Sequence, residues 1–159
     1  MEKHLLNRPK KRIFPLSLQR TLRNQAIDKI KSKFLPDEKI IKIILIGSSV
    51  KNSFGEYDPP GFRRSLFSDF DFIIFVEDDY KIPKWLEREP DGKPFPDDKI
   101  NLAYRIRNFV DNKYDAEVFF VRRSTMDDPE VEKLAEMPGC EIPFTENSKW
   151  KHIVVYLRD

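Results

Sequence analysis

The apolar positions of the chain first predict a long amphipathic helix near the N-terminus. Between Ser17 and Pro36 apolar residues recur at every fourth position, which is the spacing of one helical face. Ser17 is the expected N-cap, and Pro36 is expected to end the helix because proline cannot continue it. The residues of this predicted face are Leu18, Leu22, Ala26, Ile30 and Phe34.

Four further segments are predicted to be β-strands. Residues 39–46 are apolar on both faces apart from Lys42, as expected of a strand in the interior of a sheet. Residues 71–76 form a second apolar run of strand length and 116–121 a third. The run Ile153–Leu157 is predicted to close the chain as a fourth strand.

The second half of the chain also predicts two shorter helices. The first spans 100–110, where Leu102, Ala103, Ile106, Phe109 and Val110 share a helical face. The second is expected to begin near Pro129, capped by Asp127 or Asp128, and to end at Pro138-Gly139. The resulting order is helix, strand, strand, helix, strand, helix, strand. It predicts an α/β or α+β protein, with a mixed sheet of about four or five strands and helices packed on it.

The remaining segments lack a helical or strand period. Residues 1–16 are basic and contain two prolines, so they are expected to form a flexible arm, with 17–159 as one domain. Residues 51–68 are predicted to be a loop. Residues 82–96 contain four prolines and are predicted to be irregular or extended.

Composition excludes several classes of protein. The chain has 159 residues, 40% of them hydrophobic, with 29 Lys and Arg against 27 Asp and Glu. This near balance gives no electrostatic case for nucleic-acid or membrane binding over the whole surface. No apolar stretch approaches the roughly 20 residues of a membrane span, so a cytoplasmic protein is expected. The single cysteine, Cys140, excludes an internal disulfide, and the two histidines, His4 and His152, make a histidine-metal site a poor hypothesis.

The strongest chemical signal is a small-residue turn followed by paired carboxylates. The predicted strand 39–46 leads directly into Gly47-Ser48-Ser49, and a strand that opens onto a helix N-terminus can bind phosphate. Asp69 and Asp71 stand two residues apart at the start of the next strand. Side chains two apart on a strand share a face, so both carboxylates can converge on one cation.

A third carboxylate lies within the strand 116–121. Glu117 sits inside the apolar run, where an unpaired charge would be costly, so it needs a compensating cation, and a metal ion is one candidate. Asp115 shares its face but lies nearer the solvent end of the strand. Mg²⁺ prefers such hard oxygen ligands, and phosphoryl or nucleotidyl transfer requires a divalent cation. The sequence therefore predicts metal-dependent chemistry on a nucleotide.

These three elements, in this order, resemble the DNA polymerase β-type nucleotidyltransferase superfamily. The match runs from about residue 40 to residue 121 and is closest to small members with a GS…SD-x-D pattern, here Gly47-Ser48 and Ser68-Asp69-Phe70-Asp71. The resemblance implies that an NMP moves from an NTP to an acceptor hydroxyl. The implied nucleotide contacts are Gly47, Ser48 and the adjoining Ser49. The implied ligands of two Mg²⁺ or Mn²⁺ ions are Asp69, Asp71 and Glu117, the last alternatively activating the acceptor hydroxyl.

The chain departs from this family's pattern in two places. The interval from Gly47 to Asp69 is longer than usual, which implies an insertion around 54–67. The place of a common Arg-Gly pair holds Val50-Lys51-Asn52. Lys51, Arg63 or Arg64 is then the candidate for the phosphate-binding charge. Surface charge is the default interpretation of Arg105, Arg107, Arg122 and Arg123.

The sequence does not identify the acceptor. Larger members carry a second helical domain that holds it, and none is visible here. Small members often work beside a helical partner protein, so the alternative is an interaction or antitoxin-type module that binds, and modifies or neutralises, such a partner. A homo-oligomer that completes the site is also consistent with the sequence. A nucleic-acid role that uses the basic arm is less favoured because of the near-neutral charge.

Overall fold

The computed structural model describes residues 10–58, 60, 66–88, 100–126 and 152–159. Within them, one long helix packs on a mixed six-stranded sheet, and a separate two-stranded sheet lies beside it, so the predicted α+β class is confirmed. The helix is α1 (Leu16–Phe34). The strands are β1 (Lys10–Ile13), β2 (Ile40–Ile46), β3 (Gly55–Asp58), β4 (Phe70–Val76), β5 (Glu87–Arg88), β6 (Ile100–Val110), β7 (Tyr114–Arg122) and β8 (Ile153–Leu157).

The larger sheet has the order β5-β6-β7-β4-β2-β8. Strands β4 and β7 run parallel, and every other neighbouring pair is antiparallel. Strands β1 and β3 pair separately as an antiparallel ribbon. The predicted strands at 39–46, 71–76, 116–121 and 153–157 correspond to β2, β4, β7 and β8 and are confirmed. In the described residues, no helix is long and apolar enough to cross a membrane.

Helix α1 covers one face of the sheet with residues at helical spacing. Leu22, Ala26, Ile30 and Phe34 are buried as predicted, but Leu18 is 39% exposed and Gln19 is buried instead. The prediction that Ser17 caps the helix is wrong. Pro15 is the N-cap, and Ser17 already lies within the first helical turn, where its carbonyl accepts a bond from the Thr21 hydroxyl at 3.1 Å.

The sheet is buried on both faces in its centre. The face toward α1 includes Ile43, Leu45 and Phe72, all fully buried. The opposite face contributes a second cluster, Ile44, Ile46, Ile73, Phe75 and Val121, each less than 5% exposed. This two-sided burial explains why β2 and β4 have nearly continuous apolar sequences rather than alternating ones.

The predicted helix at 100–110 is wrong, because this segment is strand β6. Ile106, Phe109 and Val110 are buried, and their i, i+3, i+4 spacing resembles a helical face. The spacing comes instead from an irregularity in the β6–β7 register between Ile106 and Val110, where Asn108 has φ 52°. The step from Ile106 to Val110 is four residues, against two from Ala116 to Tyr114, and such a bulge shifts the apolar side chains out of alternation.

A tight hairpin joins β6 to β7 and was not predicted. Asp111 and Asn112 both have φ 54°, and the Lys113 N–H donates to the Val110 carbonyl at 3.2 Å. Positive φ at both central residues is typical of a type I′ turn, and Asp and Asn tolerate that conformation. The Asp-Asn pair between two apolar runs was therefore an available signal for this hairpin.

The predicted loop at 51–68 contains a strand. Gly55–Asp58 forms β3 and pairs with β1, so residues 10–13 of the predicted arm belong to a β-ribbon. Phe14, which follows β1, is only 8% exposed. Of the predicted irregular segment 82–96, residues 82–86 are irregular and Glu87–Arg88 forms β5. The helix expected near Pro129 and the position of Cys140 lie outside the described residues.

Candidate functional site: a carboxylate cluster at the end of the central strands

The sheet register brings the predicted site residues together. Ile46, the last residue of β2, pairs with Asp71, and Asp71 pairs with Glu117 on the parallel strand β7. Glu117 in turn pairs with Arg105 on β6. Paired residues on neighbouring strands extend to the same face of a sheet. Asp71, Glu117 and Arg105 therefore lie side by side across three strands, and Asp69 lies two residues before Asp71 on the same side.

Gly47 closes this cluster at the end of β2. Its φ is +82°, a conformation that disfavours any residue with a Cβ, and a Cβ built there would overlap the Asp71 carboxylate oxygen Oδ2. The N–H groups of Val50 and Lys51 both donate to the Gly47 carbonyl at 3.1 Å. Residues 47–52 thus form a turn, so β2 does not open directly onto a helix N-terminus at Gly47-Ser48-Ser49. The small residue is needed for close approach to Asp71.

Ser68 fixes the other side of the cluster. It is 3% exposed, its hydroxyl accepts a hydrogen bond from the Gly55 N–H at 3.1 Å, and its own N–H donates to the Gly55 carbonyl at 2.9 Å. Gly55 itself passes so close to the Arg12 carbonyl that a Cβ would overlap it. Ser68, which directly precedes Asp69, is therefore hydrogen-bonded to Gly55 at the start of β3.

Arg105 is the main cation of the cluster. Its Nη1 lies 2.9 Å from Asp115 Oδ2, and its Nη2 lies 2.8 Å from Glu117 Oε1 and 3.6 Å from Asp69 Oδ2. The side chain is only 15% exposed. The interpretation of Arg105 as surface charge is therefore wrong. The compensating cation that Glu117 requires is supplied in this structure by a guanidinium.

The carboxylates also repel one another. Burial, followed by the charges of Glu117 and Asp69, raises the pKa of Asp71 well above its usual value, and Arg105 and Lys11 oppose this shift. Burial lowers the pKa of Lys11, an effect opposed by Asp71. A carboxyl group that is buried beside other carboxylates is stabilised either by keeping its proton or by a nearby cation.

The chemistry of these donors fits a divalent metal ion, provided that the ion can displace Arg105 from the carboxylates. Asp69, Asp71 and Glu117 offer the hard oxygen ligands that Mg²⁺ and Mn²⁺ prefer, and their mutual repulsion would be relieved by a divalent cation. In the arrangement seen here, the described part of the chain contains no group of three or more His, Cys, Asp or Glu side chains positioned to hold a metal ion. Arg105 engages Glu117 and Asp69, so an ion shared by the three carboxylates would compete with this guanidinium.

The other predicted nucleotide contacts have different environments. Ser48 is partly buried, whereas Ser49 is 2% exposed and its hydroxyl has no hydrogen-bond partner in the described structure. The Ser49 carbonyl accepts a bond from Arg23 Nη1 at 3.2 Å. Lys51 is exposed on the turn, and Arg63 and Arg64 lie outside the described residues.

Three structurally important polar residues were missed by sequence reasoning. Arg105 could have been found from strand alternation, because it lies one residue from the inward-facing Ile106, but the helical interpretation concealed this. Lys11 approaches Asp71 only through the β1–β3 ribbon, which has no local signal. Gln19 is buried and joins α1 to the turn, since its Nε2 donates to the Asn52 carbonyl at 3.3 Å and its Oε1 accepts from the Phe54 N–H at 3.1 Å.

The other three arginines, Arg107 on β6 and Arg122 and Arg123 at the end of β7, bind neighbouring strand ends and exposed carboxylates. Arg122 Nη1 donates to the carbonyls of Asp78 and Tyr80 at 3.0 and 3.1 Å. Arg123 pairs with Glu77 at 3.0 Å, and Arg107 pairs with Glu87 on β5 at 3.2 Å through exposed side chains. These contacts agree with a structural or surface role for the three residues.

Comparison with known proteins gives no family. A search of protein-family models finds no match to this chain, and a search of curated proteins also finds none.

Proposed function

We propose that this chain is a metal-dependent nucleotidyltransferase that moves an NMP from an NTP to an acceptor hydroxyl. The observation that carries the proposal is the register in which Asp71 pairs with Glu117 while Gly47 packs against the Asp71 carboxylate. The carboxylate-bearing ends of strands β4 and β7 and the Gly47 turn thereby meet at one end of the sheet. A cluster with more carboxylates than cations suits a reaction that has to gather divalent cations around phosphate.

The proposed reaction is an in-line displacement at the α-phosphorus. The acceptor oxygen forms a new P–O bond, the bond to the β-phosphate breaks, and pyrophosphate leaves with the bonding electrons. Glu117 takes the hydroxyl proton; in the alternative it would hold metal with Asp69 and Asp71, and the proton would pass to solvent water. When bound, Mg²⁺ or Mn²⁺ would neutralise phosphate charge. The Gly47-Ser48 backbone and Lys51 would contact the triphosphate, and Arg105, once released from Glu117, would be free to pair with phosphate oxygens.

A second candidate is an interaction module that has this type of site but does not use it for catalysis. The observation in its favour is that Arg105 already pairs with Asp69, Asp115 and Glu117, so three of the carboxylates have a cationic partner without a metal. Such a module would bind a helical partner protein, in the manner of an antitoxin, or a second copy of itself. The two candidates differ in whether the carboxylates turn over a nucleotide.

The test is incubation of the protein with each labelled NTP and Mg²⁺ or Mn²⁺ in cell lysate. We expect label to transfer to protein, RNA or a small molecule, and the labelled class identifies the acceptor. Asp69→Asn and Asp71→Asn should abolish transfer, because each removes a ligand charge. Asp111→Asn is the matched control, since Asp111 is an exposed carboxylate of the β6–β7 hairpin, six residues before Glu117, and is not one of the proposed ligands.

Full activity in both cluster variants would remove this mechanism. Absence of transfer by the wild-type protein, together with co-purification of a helical partner or self-association, would favour the interaction module. Mn²⁺ titration gives an independent readout, because the Asp71→Asn variant should bind the ion more weakly whether or not an acceptor is present.

A further inference from the structure

A basic cavity lies at the N-terminal end of α1, apart from the carboxylate cluster. It has a volume of about 310 Å³ and is lined by residues of α1, the 47–52 turn and the start of β8. The cavity is not lined by Asp69, Asp71 or Glu117. Its volume falls at the lower end of the range of small-molecule sites, roughly 300–1,000 Å³. The cavity can thus hold a small organic ligand and not only water.

The charge of the cavity is one-sided. Arg20 and Arg23 line it from positions three residues apart on α1, His152 lines it from the segment before β8, and none of the described lining residues is acidic. Leu16, the first residue of α1, also lies in the wall, and the first turn of the helix contains no acidic residue. The N-cap Pro15 makes no side-chain capping bond. Leu16 thus places the first turn of the helix, which is the positive end of its dipole, at one side of the cavity.

The basic wall is held in place by contacts with the turn. Arg23 Nη1 donates to the Ser49 carbonyl at 3.2 Å, which fixes one guanidinium against the protein. Asn52 has φ 60°, and its carbonyl accepts a bond from the buried Gln19. A preformed site loses less conformational entropy when it binds. These contacts preorganise the cavity, and Arg20, which is exposed, completes it from solvent.

We propose that this cavity binds the phosphate group of a small phosphomonoester. Guanidinium groups donate in pairs to phosphate oxygens, and the free N–H groups of a helix N-terminus favour the same anion. Apolar side chains, Val50 among them, also line the cavity and would contact the organic part of the ligand. A carboxylate ligand would use fewer of these donors. The proposal does not depend on nucleotidyl transfer, because no residue of the carboxylate cluster takes part.

The test is a calorimetric or NMR titration of the full chain at constant ionic strength with EDTA present. Inorganic phosphate, ribose 5-phosphate and AMP are the probes, and they separate recognition of phosphate, of a sugar phosphate and of a nucleotide. Arg20→Gln should weaken binding about tenfold, because it removes a charge-assisted hydrogen bond to the phosphate. The matched control is Lys29→Gln, which removes one exposed charge from the same helix outside the cavity and should leave the affinity unchanged.

Arg23→Gln provides a second variant, with its fold checked by circular dichroism because Arg23 also supports the turn. Saturable binding that is lost in Arg20→Gln and kept in Lys29→Gln supports the site. Absence of saturable binding by the wild-type protein overturns it, and so does equal weakening by Arg20→Gln and Lys29→Gln. Chemical-shift changes confined to Asp71 and its neighbours would place the phosphate elsewhere and would also overturn it.

Discussion

The turn at 47–52 separates two regions of opposite charge that are built in different ways. At its first residue, Gly47 packs against the carboxylate of Asp71, which shares one end of the sheet with Asp69 and Glu117. At its far end, Val50 and Asn52 line a cavity with two arginines. The acidic region is neutralised in part by the protein's own Arg105, whereas no acidic residue lines the described basic cavity.

Because of this difference, substitutions in the two regions should have different consequences for stability and for ligand binding. Ion pairs formed inside a protein couple charge to folding, since loss of one partner leaves the other uncompensated. Charges around an open cavity carry little of that cost, because solvent still reaches them. Changes in the acidic region should therefore alter the free energy of unfolding, and changes in the basic cavity should alter mainly affinity.

Gly47→Ala is expected to have the largest effect on stability. The added Cβ overlaps Asp71 Oδ2, and the alanine has to adopt the left-handed backbone conformation of Gly47. We therefore expect the free energy of unfolding to fall by about 3 kcal/mol from strain and overpacking combined. Urea unfolding followed by circular dichroism measures it. Ser48→Ala, at the neighbouring partly buried position, is the control and should have a much smaller effect.

A second background divides that loss into its two causes. In Asp71→Ala the carboxylate is absent, so Gly47→Ala should then cost only the backbone strain, about 1–2 kcal/mol. An unchanged cost in this background would mean that Gly47 is required for its φ alone and that its contact with Asp71 is incidental.

Arg105→Met should have the next largest effect. The change leaves Asp69, Asp115 and Glu117 without their shared cation, so we expect a loss of about 2 kcal/mol, less than for a fully buried pair. Arg107→Met is a matched control two residues along the same strand, where an exposed pair with Glu87 should contribute less than about 1 kcal/mol. Equal losses in the two variants would contradict the distinction between the regions. Millimolar Mg²⁺ should restore part of the loss in Arg105→Met alone.

The elements that sequence reasoning predicted correctly are those whose signals are local. Strands β2, β4, β7 and β8 follow from short apolar runs, and the main face of α1 follows from a fourfold spacing. The proximity of Asp69, Asp71 and Glu117 followed from strand alternation together with a family resemblance, and the register confirms that Asp71 and Glu117 are neighbours.

The missed elements depend on irregular or distant contacts. Strand β6 was predicted as a helix because the bulge near Asn108 gave Ile106, Phe109 and Val110 a helical spacing. That error also placed Arg105 on a surface. The basic cavity joins segments near residues 20, 50 and 152, and no period in the sequence relates them. Pairing of β1 with β3 likewise joins segments more than 40 residues apart.

Asp71→Asn tests the acidic region through pH and should have the smallest effect on stability. Because the native pKa of Asp71 is raised, the native state holds a proton that the unfolded state has released, so the stability of the wild-type protein should fall as pH rises above 3.8 toward the native pKa. The Asn variant lacks this titration. It should therefore be more stable than wild type at about pH 7 and closer to it at about pH 4, in urea unfolding with EDTA present.

A variant less stable than wild type at neutral pH would mean that the ionised carboxylate is favourable without metal, and that Arg105 and Lys11 outweigh the repulsion from Asp69 and Glu117. A more stable variant that has lost nucleotidyl transfer would show instead that this carboxylate is kept for function at a cost to folding.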